Sequence, residues 1–236
     1  MKYINKVVKW IDNITDIGMI LYFLFFVLLG LYALYDSYLF YNQTIDDSLL
    51  KYKPGYEGEP SDKKIKGNMV AWLTINDTNI DYPVMQGIDN FEYLNKDPFG
   101  DYSLAGSIFL DNRNSADFSD YYNLVYGHHM EHSLMFGALA LYLEPNYLEE
   151  HNKGELIVGD KKYNIELFAV LEATAMQEEV FSPTEKDDVV LEYVKNNATY
   201  ILSDVIPKDG EKLIALSTCK FPSTLLRTIV FGVLKE

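Results

Sequence analysis

The hydrophobic pattern changes character once along the chain. From Ile17 to Tyr35 the sequence IGMILYFLFFVLLGLYALY runs nineteen residues without a charge, close to the roughly 20 that a helix needs to cross a hydrocarbon core. Lys2, Lys6 and Lys9 precede this run, and Asp36, Asp46 and Asp47 follow it. Basic residues collect on the cytoplasmic side of a membrane segment. The expectation is a cytoplasmic N-terminus over residues 1–16, a transmembrane anchor over 17–35, and everything beyond it outside the cell. A cleaved signal peptide would have a shorter apolar stretch and a small-x-small cleavage site. The stretch Leu31-Tyr32-Ala33-Leu34-Tyr35 offers no such site, so an uncleaved anchor is the better reading.

After the anchor, Tyr38 to Tyr52 carries apolar residues at mixed spacing, which predicts a juxtamembrane helix. A linker containing Lys53-Pro54-Gly55 and Pro60-Ser61-Asp62 extends it to about residue 66. From 67 to 236 short runs rich in β-branched and aromatic residues take over. They predict strands over Val70–Ile75, Ile80–Met85, Gly106–Asp111, Asn123–Tyr126, Glu155–Val158, Lys162–Thr174, Lys212–Thr218 and Leu226–Leu234. Pro83 marks its strand as an edge or a bulge, and Gly159-Asp160 is a hairpin turn. Helical turns are expected at Asp89–Leu94, with Asp89 as cap, and over Ser133–Leu143. Ser182-Pro183-Thr184-Glu185 is a capping box with proline at the first helical position, opening a helix that carries Val189, Val190, Tyr193 and Val194 on one stripe and ends near Asn197. Eight short strands with few helices predict a mainly β fold, a closed barrel with peripheral helices.

Composition narrows the function classes. The roughly 200 residues outside the membrane suffice for one domain with its own core. Acidic residues outnumber basic ones 35 to 20, which argues against nucleic acid as a partner. The chain has one cysteine, Cys219, so no intrachain disulfide exists. In an exported protein a lone thiol is either a small buried hydrophobe or a nucleophile. Cys219 lies at the end of one predicted strand and Arg227 at the start of the next, so antiparallel pairing would set them side by side. His128 also ends a strand, in a glycine-containing loop. Histidine suits proton transfer to and from a thiol, and an arginine with five donors suits a developing oxyanion. Arg227 is one of only two arginines in the chain, the other being Arg113.

These residues carry a resemblance. Val125-Tyr126-Gly127-His128-His129-Met130 resembles the histidine motif of sortases, and Ala215-Leu216-Ser217-Thr218-Cys219 resembles their Thr-Leu-x-Thr-Cys motif, with the arginine on the following strand. The blocks Asp81–Gly87, Asp89-Asn90, Tyr93-Leu94 and Gly106–Asp111, and the helix at 183–197, are similar to class B sortases. The likeness covers about residues 67 to 234. It implies a closed eight-stranded sortase-like barrel and a membrane-anchored cysteine transpeptidase of a Gram-positive cell envelope, acting without cofactor or metal. Cys219 would attack the threonine carbonyl of a C-terminal sorting motif of the Asn-Pro-x-Thr type. His128 would be general acid and base, Arg227 would hold the motif and its oxyanion, and Asn90, Leu94 and Ser217 would line the substrate groove. The implied partners are surface-protein or pilin substrates and an acceptor amine from a peptidoglycan precursor or a pilin.

The chain departs from the family pattern at Ala215, where threonine is usual, at His129, where many class B members have asparagine, and at Lys220, where an acidic or small polar residue is frequent. A double histidine also occurs in sortases that polymerise pilins. Other readings compete. A thiol peptidase would share the triad and release its peptide to water. His128-His129-Met130-Glu131-His132 matches the H-x-x-E-H signature of a zinc metalloprotease, which needs both histidines on one helical face. A non-catalytic acidic adhesin is the third. Arg113, in a loop, is expected to be a surface cation that tolerates lysine.

Overall fold

The computed structural model describes residues 2–44, 49–59, 63–183, 187–208, 210–219 and 225–236, with backbone alone at 2, 39–44, 187–188 and 219. The chain divides into two compact units, Met1–Ile45 and Asp46–Glu236. The first is a single helix, α1 (Lys2–Thr44), whose Tyr3–Tyr38 stretch is long and apolar enough to cross a membrane. From Tyr3 to Tyr38 its large apolar side chains are all exposed, Phe23 at 72%. A water-exposed helix of this composition would forfeit the main stabilisation available to it, so it calls for an apolar surrounding. The separate helix expected from Tyr38 is instead a continuation of α1 to Thr44, followed by a 3₁₀ turn at Leu49–Tyr52; residues 45–48 lie outside the described ones.

In the second unit the strands are β1 (Met69–Ile75), β2 (Asp81–Met85), β3 (Ile108–Leu110), β4 (Tyr122–Gly127), β5 (Lys153–Val158), β6 (Lys161–Thr174), β7 (Tyr200–Ile201), β8 (Lys212–Cys219) and β9 (Leu226–Lys235). They run in the order β5-β1-β2-β3-β4-β8-β9-β6, and the β5–β6 hairpin closes the ring. The barrel therefore has eight strands, as expected, with the two-residue β7 added to the outer half of β6. Gly159 makes the hairpin turn with a positive φ of 57°, which glycine adopts at no steric cost. Pro83 does not lie on an edge strand: β2 pairs with β1 on one side and with β3 on the other. It is tolerated because the β3 pairing begins only at Val84, one residue later.

Two apolar layers lie on the two faces of this sheet. Leu73, Val84, Val125, Leu216 and Val230 fill the barrel interior with Phe136, Leu139 and Tyr142. Leu213, Ala215, Ile229 and Phe231 face outward and are covered by Val180, Val190 and Val194. Val180 belongs to α3 (Glu178–Phe181), which follows α2 (Tyr147–Glu150) in the chain, and the other two belong to α4 (Asp187–Asn197). Burial on both faces explains why β8 and β9 read as near-continuous apolar runs rather than alternating ones. α4 ends at Asn197 as expected, but Ser182 closes α3 and Pro183 lies in a turn, not at a first helical position; Thr184 and Glu185 of the expected capping box lie outside the described residues.

Ser133–Leu143 does not form the single helix that its spacing suggests. Two 3₁₀ turns, Glu131–Ser133 and Gly137–Leu143, are separated by non-helical backbone, extended at Leu134, with positive φ at His132, Ser133 and Met135. Tertiary hydrogen bonds outweigh propensity here. The Phe136 amide donates to the His128 carbonyl at 3.0 Å and the Met135 amide to the Tyr82 hydroxyl at 3.1 Å, folding the segment back under the end of β4. Before the barrel, Lys53 ties its segment to β1 and β2 through an ion pair with Asp81 at 2.8 Å, an acceptor shared with the Trp72 indole N–H at 2.7 Å.

Candidate active site

Three adjacent strands bring the predicted residues to one level of the barrel. β4 and β8 are parallel with Gly127 opposite Thr218; β8 and β9 are antiparallel with Thr218 opposite Thr228 and Cys219 opposite Arg227. His128 and Cys219 each lie one residue beyond the Gly127–Thr218 pair, and Arg227 faces Cys219 across the next ladder. Cys219 ends the described part of β8, and residues 220–224, Lys220 included, lie outside it.

Beside this level opens a cleft of about 480 Å³. His128, Arg227, Asn90, Leu94 and Ser217 all line it, so five of the six sequence-predicted site residues meet in one cavity. Its remaining walls are mostly apolar or aromatic: Phe91, Phe109, Tyr126, Ala175 and Phe181. A largely apolar cleft with a few convergent polar groups is the usual form of a small-ligand or peptide site. Sequence reading singled out none of these five as lining. Tyr126 carried a signal, since it lies in the histidine block. Phe181 carried none, because only the packing of α3 against β4, through the Tyr122 hydroxyl donating to the Val180 carbonyl at 2.8 Å, brings it to the rim.

Electrostatics separate the two basic residues. Burial lowers the His128 pKa below the ordinary histidine value; the Leu94 carbonyl, accepting from the ring, works against this, and the nearby Arg227 charge adds to it. At neutral pH the imidazole is therefore mainly neutral. Burial also lowers the Arg227 pKa, yet a guanidinium stays cationic throughout the physiological range. The cleft thus holds a neutral proton acceptor beside a partly desolvated cation, whose field acts more strongly there than it would in water.

A buried carboxylate lies behind part of the cleft wall. Asp111 is fully buried and accepts from Arg113 Nε at 2.8 Å, Arg113 Nη2 at 2.7 Å, the Arg113 amide at 3.0 Å, Asn90 Nδ2 at 2.9 Å and the Tyr126 hydroxyl at 3.1 Å. Burial pushes its pKa up, but the Arg113 and Asn90 hydrogen bonds and the Arg113 charge outweigh that and hold the carboxyl below the usual range. Arg113 is therefore not the tolerant surface cation expected from its loop position. It forms a bidentate pair with a buried partner, a geometry that an ammonium cannot copy.

The H-x-x-E-H match lacks the geometry its chemistry requires. His128 follows a strand, Glu131–Ser133 is a 3₁₀ turn, and His132 has left-handed backbone with φ 57°. The two histidines do not share a helical face.

Comparison with known proteins agrees with this arrangement. A family profile described as the sortase domain matches residues 73–235. Sortase B of Listeria monocytogenes is 37% identical over 193 residues, covering 76% of this chain and 78% of that protein. A Streptococcus pyogenes class B sortase involved in pilus biogenesis superposes with a TM-score of 0.66 at 34% identity, over 72% of this chain and 94% of that one. The Staphylococcus aureus sortase B–substrate complex gives 0.67 at 30% identity, over 74% and 82%. A matching profile over most of the barrel, a relative at this identity and a shared fold together show that the chain belongs to the sortase family of cysteine transpeptidases, in class B.

Proposed function

We propose that Cys219, His128 and Arg227 are the catalytic residues of this transpeptidase, and that it joins a surface protein bearing an Asn-Pro-x-Thr sorting motif to an amine of the cell wall. The observation that supports the reading is the register of β4, β8 and β9, which pairs Gly127 with Thr218 and Cys219 with Arg227 on adjacent strands, next to the cleft that His128 and Arg227 line. His128 takes the Cys219 proton and the thiolate attacks the threonine carbonyl. A C–S bond forms, and Arg227 donates to the oxyanion of the tetrahedral intermediate. The C–N bond then breaks, and His128 returns the proton to the leaving amine. The acceptor amine next attacks the thioester: a C–N bond forms, the C–S bond breaks, and the proton passes from the amine through His128 to the thiolate. Asn90, Leu94 and Ser217 hold the motif along the cleft.

In the same reading α1 anchors the enzyme as a single pass over residues 17–35, with residues 1–16 in the cytoplasm, residues 36–66 as the connecting segment and 67–236 as the extracellular catalytic domain. The lysines ahead of the span support that orientation. A pilin amine is the second acceptor to weigh, because one structurally similar class B sortase is involved in pilus biogenesis.

The test mixes the full chain in detergent micelles with peptides carrying Asn-Pro-x-Thr and with triglycine or a lysine-containing pilin peptide, followed by mass spectrometry. A thioacyl adduct on Cys219 and a product ligated at threonine are expected, and Cys219→Ala gives neither. The amine that appears in the product distinguishes wall anchoring from pilus assembly, and release to water alone would identify a peptidase. Ligation by Cys219→Ala would refute the assignment of the nucleophile.

A further inference from the structure

The five donors on Asp111 belong to three residues, Asn90, Arg113 and Tyr126, from three separate stretches of the chain. Asn90 precedes the short 3₁₀ turn at Glu92–Leu94, which carries Leu94 into the cleft. Tyr126 lies on β4, two residues before His128. Arg113 follows β3 and, besides its two side-chain bonds and one amide bond to Asp111, donates from Nη2 to the Phe181 carbonyl at 2.6 Å. Asn90, Tyr126 and Phe181 all line the cleft, and each is hydrogen-bonded to one carboxylate–guanidinium pair. The backbone under that pair is held as well, since Gln86 Nε2 donates to the carbonyls of Asp111 at 3.1 Å and Asn114 at 2.7 Å.

The network also sets what Asn90 can offer a ligand. Its Oδ1 accepts from the Asn112 amide at 2.8 Å, and one Nδ2 hydrogen goes to Asp111. Both bonds require the same orientation of the side-chain amide, because a carboxylate cannot donate and a backbone N–H cannot accept. One N–H has no partner among the described residues, and Asn90 lines the cleft, so this N–H is available to a peptide carbonyl oxygen.

We propose that Asp111 and Arg113 are positioning residues of the peptide cleft: they fix Asn90, Tyr126 and Phe181 in the arrangement that grips the sorting peptide, and Asn90 reads a carbonyl of that peptide through its one free N–H. This rests on the reading of the cleft as the peptide site. Asp111 is fully buried and neither it nor Arg113 lines the cleft, so they act through the residues they hold, on substrate binding and not on the reactivity of Cys219. A residue that only supported the fold would change both together.

The test uses the full chain in detergent micelles, with Arg113→Lys as the main variant, because it keeps the charge beside Asp111 and removes only the planar fork. Tyr126→Phe, which deletes one hydroxyl, is the second variant. With an Asn-Pro-x-Thr peptide, KM should rise about tenfold in Arg113→Lys and by less in Tyr126→Phe, while kcat stays within about threefold. The rate at which a methanethiosulfonate reagent modifies Cys219 should not change, and the side-chain amide resonance of Asn90 should move in Arg113→Lys. An unchanged KM overturns the proposal. So does a parallel fall of kcat, thiol modification and melting temperature, which would mark a structural role alone. If the wild-type chain acts on no such peptide, the proposed motif fails and the Asn90 resonance decides the network: an unmoved signal in Arg113→Lys refutes it, a shifted one upholds it.

Discussion

Gly127→Ala tests whether barrel packing and the placement of His128 are one problem. A Cβ built at this position would lie 2.4 Å from Ile108 Cδ1 and 2.7 Å from both Cγ and Cδ2 of Phe136. Carbon atoms in contact sit about 3.5 Å apart or more, so the gaps fall short by roughly 1.1 and 0.8 Å. Neither neighbour can swing into solvent, since Ile108 is 1% exposed and Phe136 0%. The added methyl must displace a buried aromatic ring or push the end of β4 outward. Overpacking of this kind costs about 1–3 kcal/mol. At roughly 2–4 °C per kcal/mol for a domain of this size, the melting temperature should fall by about 2–12 °C. The strand end is the softer of the two, and His128 is the next residue. Misplacement of a catalytic group by about 1 Å can cost on the order of 10² in rate, so kcat/KM should drop by about 10- to 100-fold when measured well below the melting transition. Differential scanning fluorimetry on the full chain in micelles and cleavage of a sorting peptide give the two readouts. An unchanged melting temperature with full activity would refute the packing argument. A lowered melting temperature with full activity would break the link from β4 packing to His128.

Three further outcomes follow from the same geometry. Arg227→Lys should cut transpeptidation at least about tenfold and Arg227→Ala more, toward the roughly 10²–10³ that loss of an oxyanion donor costs, with little change in melting temperature; a fully active lysine variant in a steady-state assay would remove Arg227 from the catalytic set. The His128 resonance should titrate below the ordinary histidine value in NMR and move up in Arg227→Gln, because the arginine charge helps to lower it. Since folding lowers this pKa, the unfolded chain binds more protons between the folded value and about 6.5, so stability should fall as pH drops through that window; a titration at or above 6.5 contradicts this. Protease added to cells stripped of wall should remove the barrel and leave a fragment holding α1, and protection of the barrel would reverse the proposed orientation.

The barrel strands were legible because their signal is local. Alternation, β-branched runs and turn residues such as Gly159-Asp160 mark β1, β4, β5, β6, β8 and β9 to within a few residues. The apolar span of α1 was equally plain, since nineteen uncharged residues need no tertiary partner to be recognised. The catalytic candidates were legible for a related reason: the sequence has one cysteine and two arginines, and Cys219 and Arg227 lie at strand ends that a short loop must bring together. Local signals failed where long-range contacts set the backbone. Ser133–Leu143 has helical spacing, but the Tyr82 hydroxyl and the His128 carbonyl capture its amides and break it into two 3₁₀ turns. Pro83 reads as an edge or a bulge; the strand is not an edge, the β1–β2 ladder is irregular between Met69 and Ala71, and the late start of β3 lets the proline sit inside the sheet. Arg113 reads as a loop cation, and only the folded chain shows that it meets a buried Asp111 carboxylate and reaches Phe181. Sequence periodicity records which face of an element is apolar. Which distant segments share one carboxylate depends on how the loops 86–114 and 175–183 pack over the barrel, and no single segment carries that information.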